Sequence, residues 1–241
     1  MRLLDISFIS PGKNLALDEV LLEGAEHGRD GECLRFWESP THFVVLGIAQ
    51  AVRAEIHLKA CEQDDVPIMR RCSGGGCVLQ GPGCLNFALV LGHESRPELR
   101  TIRESYCYVL GRIREAFLKR DITLRHNGIS DLTLGGRKIS GNAQKRRKHF
   151  ILHHGTLLYR LDPALMERYQ REPLDRPRYR GDRTHRGFVR NLPLDARDLR
   201  HVILDAFEVD VPTSEPSAHQ LERAHELAHE KYYAHDWTFR R

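Results

Sequence analysis

A glycine-rich stretch next to two arginines is the first part of this chain that could bind an anion. In RRCSGGGCV, Arg71 precedes Ser73 and three successive glycines, Gly74, Gly75 and Gly76. Successive backbone N–H groups without side chains can surround an anionic ligand, and an arginine can pair with its charge. The stretch matches neither the Walker loop nor the dinucleotide fingerprint. Two interpretations remain open here, an anion-binding turn and a glycine-rich hairpin with solvated arginines.

A second stretch, SDLTLGGRKISGNAQ, contains a lysine within a predicted strand that glycines, Gly141 among them, flank on both sides. If Lys138 points inward, its buried ammonium needs a negative partner. Asp131 can pair with Lys138 or hold a metal ion, and a bound phosphate or carboxylate can also supply the negative charge. The alternative is an edge-strand lysine that protects the sheet from aggregation.

A third stretch, FILHHGTLLY, contains two adjacent histidines in a predicted strand. Neighbouring residues of a strand point to opposite faces of the sheet. One of His153 and His154 must therefore point into the core or into a site, and a buried, hydrogen-bonded histidine is the usual outcome.

The elements that must position these residues predict one α/β domain over residues 1–241, with a mixed β-sheet flanked by helices. Apolar periodicity predicts helices at 14–26, 54–63, 102–119, 163–170, 199–207 and 217–232. Apolar runs predict strands at 34–36, 42–46, 66–71, 84–91, 122–125, 131–134, 137–140 and 150–159. Ser39-Pro40 is interpreted as the turn between the first two strands, and 171–193 as a long loop.

Composition and charge exclude several classes of protein. The chain has 241 residues, of which 41% are hydrophobic and 29% charged, and its net charge is +4. No apolar run is long enough to span a membrane and no signal peptide is present, so we expect a cytoplasmic monomer without membrane contact. The basic segments 137–148 and 171–190 suit a nucleic-acid binder, an enzyme that handles nucleotide phosphates, or an acidic protein partner.

The six cysteines and the clustered histidines do not indicate a metal site. The cysteines lie at positions 33, 61, 72, 77, 84 and 107, with no CxxC pair. A cytosolic chain of this size rarely has a disulfide framework, and the spacings match no common zinc module. We expect most of these cysteines to be buried. His225 and His229 would share a helix face, for which a solvated helix is the favoured interpretation.

In their order and spacing, RRCSGGGCV, GGRKISGNAQ and HHGTLLY resemble the lipoate–protein ligase and octanoyltransferase family, which is related to the biotin–protein ligases. NLALDEVLL resembles the family's first helix and RFWESPTHFVVLGIAQ its first hairpin. YRGDRTHRGFVRNL resembles a later loop, and KYYAHDWTF the end of the catalytic domain. The resemblance covers nearly the whole chain and implies the biotin-ligase-like α/β fold.

The resemblance also implies roles for individual residues. Lys138 would be the catalytic residue that holds the reacting carbonyl and phosphate oxygens. Asp131 would help Lys138 to hold ATP and Mg²⁺. Lipoate or octanoate would bind at a set of neighbouring residues: Arg71, Ser73, Gly74, Gly75, Gly76, Asn86, Gly141, His154 and Gly155.

The main prediction is an ATP-dependent ligase that forms lipoyl-adenylate and transfers the lipoyl group to a lysine of an acidic lipoyl carrier domain. The alternative is a transferase that uses an acyl carrier protein or a lipoyl protein as donor. The family's transferases use a cysteine after the lysine-bearing strand, but this sequence has none after Cys107, so Cys72, Cys77 or Cys84 would have to replace it.

Two further alternatives are weaker. A non-enzymatic nucleic-acid or carrier binder would not need Lys138 in an intact motif, so we expect no nucleic-acid partner. A biotin ligase would carry a GRGRxxR-type loop, which is not found here. Many ligases continue with an accessory domain at about Arg241, so we expect a separate accessory-domain protein as a possible partner.

Overall fold

The structure, a computed structural model, describes residues 1–173 and 176–241. Its strands are β1 (Arg2–Asp5), β2 (Cys33–Trp37), β3 (Phe43–Leu46), β4 (Ile68–Arg70), β5 (Val78–Gln80), β6 (Cys84–Gly92), β7 (Arg125–Asn127), β8 (Asp131–Leu134), β9 (Arg137–Arg146) and β10 (Phe150–Leu158). Its α-helices are α1 (Pro11–Glu26), α2 (Val52–Glu55), α3 (Leu58–Gln63), α4 (Ile102–Leu118), α5 (Pro163–Tyr169), α6 (His185–Phe188), α7 (Ala196–Phe207), α8 (Ala218–Leu227) and α9 (His235–Thr238). Short 3₁₀ turns lie at Pro97–Leu99 and Arg178–Arg180, and a π-helical turn at Ala228–Tyr232.

The strands form two sheets. The larger sheet has the order β1-β2-β6-β10-β9-β8-β7, and the smaller sheet has the order β4-β3-β5. In the larger sheet β1 and β2 are parallel and the other neighbours are antiparallel, whereas β3 pairs parallel with β4 and antiparallel with β5. The predicted fold class, a mixed sheet flanked by helices, is confirmed, and the second small sheet is an addition to it.

The two faces of the larger sheet are covered by different helices. On one face, α4 and α7 pack over Phe87 and Leu89 of β6. On the other face, α1 packs over Ala88 and Val90 of the same strand. Because successive residues of a strand point to opposite faces, β6 contributes side chains to the hydrophobic cores on both sides of the sheet. This double burial explains why the strand is apolar almost throughout, with Asn86 as its one polar side chain.

Helix α1 is covered on its outer side as well, because α8 and the π-helical turn pack against it. Two of its charged residues, Asp18 and Glu19, are therefore buried, and each has a cationic partner: Arg35 lies 2.5 Å from Asp18, and Lys231 lies 2.6 Å from Glu19. The predicted helix 14–26 is confirmed and begins three residues earlier, at Pro11, where the fixed φ of proline suits the first turn.

The predicted first hairpin is wrong. β2 belongs to the larger sheet and β3 to the smaller one, so the chain crosses from one sheet to the other at Ser39-Pro40. Glu38 fixes this crossing, because its carboxylate accepts hydrogen bonds from the backbone N–H of Gly83 and the hydroxyl of Tyr159. Partners so distant along the chain leave no local signal that distinguishes a crossing from a hairpin.

Several boundaries also differ from the sequence prediction. The helix predicted at 54–63 is two helices, α2 and α3, because Ile56 between them is extended and bridges to Gln170. The strand predicted at 137–140 continues to Arg146 and includes part of the basic segment. The strand predicted at 122–125 lies instead at β7, and β1 and β5 were not predicted.

The long loop predicted at 171–193 contains regular turns. Arg178–Arg180 forms a 3₁₀ turn, and α6 follows with Thr184 as its cap. Residues 174 and 175 of this prediction lie outside the described residues. The guanidinium groups of Arg180 and Arg183 lie over the ring of Phe188, at 4.7 and 5.4 Å from its centroid, so cation–π contacts compact this segment.

Across the described ranges 1–173 and 176–241, no helix combines the length and the apolar character that a membrane crossing needs.

Candidate active site

A cavity opens between the glycine turn, defined here as residues 73–76, and strands β9 and β10. Apolar side chains from α1 and three strands line part of it, namely Leu15, Trp37, Val45 and Val78. Most of the residues that the sequence predicted for the site also line it: Arg71, Gly75, Gly76, Asn86, Asp131, Lys138, Gly141, His154 and Gly155. The cavity thus joins an apolar wall to polar groups, which is typical of small-molecule sites.

Lys138 lies at the cavity with Asp131 as its partner. Its Nζ is 2.8 Å from Oδ1 of Asp131, and the two side chains are 25% and 11% exposed. Gly141 lies beside this pair, since a Cβ at this position would lie 3.0 Å from Nζ of Lys138. The glycine therefore leaves the space that the lysine side chain occupies, and a larger residue would push the ammonium away from this position.

Tyr179 completes the environment of Asp131 and was not predicted. Its hydroxyl donates a hydrogen bond of 2.6 Å to Oδ2 of Asp131. Burial and the adjacent carboxylate both raise the pKa of the phenol, which therefore stays a donor at neutral pH. Tyr179 is 48 residues from Asp131 along the chain, so only the folded structure brings the two together.

Arg71 holds the glycine turn through hydrogen bonds to several of its oxygen atoms. Its Nε and Nη2 donate to the carbonyl oxygens of Gly74 and Gly76 and to Oγ of Ser73, at 2.6 to 3.1 Å. Gly75 has φ +86° and Gly47 packs against its carbonyl, so both positions require glycine. The sequence interpretation placed Arg71 on the ligand's charge. In the structure the carbonyls of the turn already use two of its nitrogens.

Ser73 is buried and forms a hydrogen bond with His154, which lines the cavity. Its Oγ is 2.6 Å from Nε2 of His154. The other ring nitrogen of His154, Nδ1, lies 3.8 Å from Oδ2 of Asp18, which Arg35 and Trp37 hold. The glycine turn, β10 and α1 are therefore linked through one histidine. Asp18 lines the cavity, and the periodicity of α1 alone did not identify it as a site residue.

A row of polar side chains follows the cavity wall. Nε2 of Gln80 donates to Oγ1 of Thr156, and this hydroxyl donates to Oδ1 of Asn86, both at 2.7 Å. Asn86 is buried and donates in turn to the carbonyl of Cys84. These bonds fix the amide that the sequence placed in the pocket.

The two adjacent histidines of β10 point to opposite faces of the sheet, as the alternation along a strand requires. His154 faces the cavity and His153 is fully buried, with its ring 6.1 Å from Phe87 and 5.5 Å from Tyr106. Burial lowers the pKa of His153 to about 3, so the ring is neutral. Gln144 and Asn142 satisfy its two nitrogens.

The cysteines near the glycine turn are poorly suited to act as nucleophiles. Among the described residues that line the cavity, Cys77 is the one cysteine. Burial raises the pKa of Cys72, Cys77 and Cys84 to about 12 each. A thiolate is the nucleophilic form, and at neutral pH these environments disfavour it.

The described residues contain no group of three or more His, Cys, Asp or Glu side chains able to hold a metal ion. Asp131 is a single carboxylate, and both of its oxygens already accept from protein donors. Mg²⁺ in nucleotide sites is bound by one or two carboxylates together with phosphates. The predicted Mg²⁺ site is therefore not built by the protein alone, and Asp131 could contribute to it only beside a bound nucleotide.

Comparison with known proteins identifies the family. The family model described as the lipoyl protein ligase A/B catalytic domain matches residues 10–207. A protein named octanoyltransferase LipM from Geobacillus kaustophilus is 28% identical over 276 residues, which is 100% of this chain and 98% of the relative. A protein named putative lipoate-protein ligase A from Aeropyrum pernix is 33% identical over 160 residues, which is 66% of this chain and 58% of the relative.

A solved structure has the same fold. It is described as a bi-partite lipoate protein ligase and its E2 lipoyl domain from Thermoplasma acidophilum, and it matches with a TM-score of 0.85 at 21% identity over 99% of this chain and 95% of that chain. The family resemblance and the fold inferred from the sequence are therefore confirmed. The chain belongs to the lipoyl protein ligase A/B catalytic-domain family.

Proposed function

We propose that this protein transfers an octanoyl or lipoyl group from an activated donor to the lysine side chain of a lipoyl carrier domain. The observation that carries the proposal is the Lys138–Asp131 pair beside a cavity with an apolar wall. The acyl chain would lie along Leu15, Trp37 and Val78, and its carbonyl would lie at the ammonium of Lys138.

Lys138 would act on the charge that develops in the reaction. When the carrier amine attacks the acyl carbonyl, negative charge forms on the carbonyl oxygen. A preformed cation at that point stabilises the transition state more than the ground state. The amine then forms the amide bond and loses a proton, and the bond from the carbonyl carbon to the leaving group breaks. The leaving group departs with its electron pair and takes up that proton. A lysine suits this position because its ammonium can turn from Asp131 to the oxygen.

The relatives favour an acyl thioester as the donor. Over the full length of the chain, the relative described above is named an octanoyltransferase. We therefore propose octanoyl transfer from an acyl carrier protein as the main reaction. The pKa of about 12 for Cys77 supports direct attack of the carrier amine on the donor, without an acyl group on the enzyme.

A lipoate ligase is the second candidate, and the same cysteine environment favours it. A ligase activates the free acid with ATP and needs no thiol nucleophile. The relative named lipoate-protein ligase A agrees with this route, although it matches a smaller part of the chain. In this reaction Lys138 would also face the phosphate of the adenylate.

The carrier would approach a basic surface. Exposed cationic residues lie immediately after β9, at Arg147 and Lys148, and in the segment after α5, at Arg176, Arg178 and Arg186. These exposed charges would attract an acidic carrier domain and raise the rate of encounter, most strongly at low ionic strength.

Intact mass spectrometry of an apo lipoyl carrier domain tests the proposal. One sample receives octanoyl carrier protein as donor, and a second receives octanoate or lipoate with Mg-ATP. A mass gain with the first donor supports the transferase, and a gain that requires ATP supports the ligase. If neither donor modifies the carrier, with or without an added accessory-domain protein, acyl transfer is wrong. Lys59→Ala, an exposed lysine on α3, is the control for Lys138→Ala.

A further inference from the structure

A hydrogen-bonded chain connects the segment after α5 to the proposed catalytic lysine. The hydroxyl of Tyr179 donates to Oδ2 of Asp131 at 2.6 Å, and Oδ1 of the same carboxylate lies 2.8 Å from Nζ of Lys138. The two donors therefore use different oxygens. A carboxylate held at both oxygens cannot rotate about its terminal bond without breaking one of the two contacts.

Tyr179 is itself held firmly. Its ring lies 5.3 Å from that of Phe188, and Arg183 donates to its carbonyl. Arg183 also donates to the carbonyl of Gly136, immediately before β9. The phenol is thus fixed against the strand that carries Lys138.

Further contacts join this segment directly to β9. The backbone N–H of Arg190 donates to the carbonyl of Lys138 at 2.9 Å, and Arg137 donates to the carbonyl of Val189 at 2.6 Å. Residues 176–190 therefore cover the lysine-bearing strand through several contacts, and Tyr179 is the one whose side-chain oxygen binds Asp131.

We infer that Tyr179 is a positioning residue for the transfer reaction: it holds the carboxylate of Asp131 so that this carboxylate keeps the ammonium of Lys138 aimed at the cavity. This inference rests on the proposed function of Lys138. Without the hydroxyl, the carboxylate is free to rotate away, and the ammonium no longer has a fixed starting position. Tyr179 would therefore affect the rate of the chemical step more than the binding of the acyl chain.

The reactivity of Lys138 tests the contact without any acyl-transfer assay. Trace labelling with acetic anhydride at pH 8, read by peptide mass spectrometry, gives the labelling rate of Lys138 relative to Lys231, which pairs with Glu19 elsewhere. An amine released from an ion pair moves more freely, so the reagent reaches it more often and it reacts faster. In Tyr179→Phe we expect the relative rate of Lys138 to rise about two- to fivefold. An unchanged rate would overturn the inference.

The control for labelling is Tyr169→Phe, which removes another tyrosine hydroxyl bonded to an aspartate, Asp64, outside the cavity. It should leave the rate of Lys138 unchanged. Phenylalanine keeps the ring of Tyr179 against Phe188, so folding should persist, and the melting temperature of each variant checks this. If the wild type transfers no acyl group from either donor, the proposed function fails, while the labelling result still decides whether Tyr179 positions Asp131.

A kinetic cycle separates positioning from a general structural role. Tyr179→Phe should lower kcat about tenfold, the size expected for one lost hydrogen bond to a charged group, with KM for both substrates nearly unchanged. In an Asp131→Asn background the same substitution should have almost no effect, because its target is already changed. An equal loss in both backgrounds would contradict the inference.

Discussion

Oγ of Ser73 lies 2.6 Å from Nε2 of His154, and this contact ties the glycine turn to strand β10 at the cavity. Nε of Arg71 donates to the same hydroxyl at 3.0 Å. The turn is thus held from two sides, by an arginine from the preceding segment and by a histidine from the sheet. The proposed binding of an acyl group against the turn depends on this arrangement.

Replacing Ser73 by alanine should loosen the turn and raise KM for the acyl donor about tenfold, because the donor then has to order the turn. The free energy of unfolding should fall by about 1 kcal/mol for the lost hydrogen bonds. Steady-state kinetics and urea unfolding measure the two effects. Ser214→Ala is a suitable control, since it removes a hydroxyl bonded to the carbonyl of Leu3 at the far edge of the sheet. Equal kinetic effects in both variants would count against the proposed role of the turn.

Cys77→Ser should keep at least about half of the acyl-transfer rate. Burial raises the pKa of this thiol to about 12, so little thiolate is present for nucleophilic attack at pH 7. Intact mass spectrometry of the enzyme with donor alone should show no acyl adduct. Cys107→Ser, at an exposed cysteine, controls for thiol oxidation. A stable adduct that disappears with Cys77→Ser would refute direct transfer and establish a thioester intermediate.

The buried pair of Asp18 and Arg35 predicts a large effect on stability. Arg35 is fully buried, and its Nη1 lies 2.5 Å from Asp18. Asp18→Asn leaves the guanidinium without its counter-charge, so the free energy of unfolding should fall by about 3 kcal/mol. Denaturant unfolding measures the change. Asp64→Asn, at the exposed pair with Arg168, should change little. A small loss for Asp18→Asn would show that Arg35 is satisfied by its other acceptors, the carbonyls of Ile6 and Asn14 and the side-chain oxygen of Asn14.

The neutral state of His153 predicts that stability falls in acid. Its pKa is about 3 in the folded protein and about 6.5 in the unfolded chain. Between these values the unfolded chain binds more protons, so this contribution is present above pH 6.5 and is lost as the pH falls toward 3. At pH 5 the loss should be about 2 kcal/mol. Urea unfolding at pH 7.5 and pH 5 should show a smaller difference for His153→Gln than for the wild type. Equal differences would exclude His153 as the source.

Some strands and helices were predictable because the pattern of apolar residues within each element shows which of its faces are buried. The strand predicted at 84–91 and the helix predicted at 102–119 agree with β6 and α4 within one residue. β6 is apolar on both faces and α4 is apolar on one face, so their burial patterns are local. The separation of β2 and β3 into two sheets was not predictable, because it depends on partners distant along the chain.

The candidate site shows the same division. The sequence motifs indicated Lys138, Asp131 and His154 as site residues, and the structure places all three at one cavity. The motif YRGDRTHRGFVRNL begins with Tyr179, but nothing in it indicated a role at the site, because the contact of Tyr179 with Asp131 forms only when residues 176–190 fold over β9. The satisfaction of Arg71 by carbonyls of its own turn was also missed, since backbone acceptors leave no mark in the sequence.

The most direct test of the central claim is the rate of acyl transfer by Lys138→Ala to an apo lipoyl carrier domain, measured by intact mass spectrometry with the donor that serves the wild type. The apolar wall remains in this variant, so the donor should still bind. The rate should fall by a factor of about 100 to 1,000, as for the loss of a group that stabilises developing charge, while the melting temperature stays within a few degrees of the wild type. A folded Lys138→Ala protein that transfers the acyl group at the wild-type rate would contradict the assignment of this cavity as the active site.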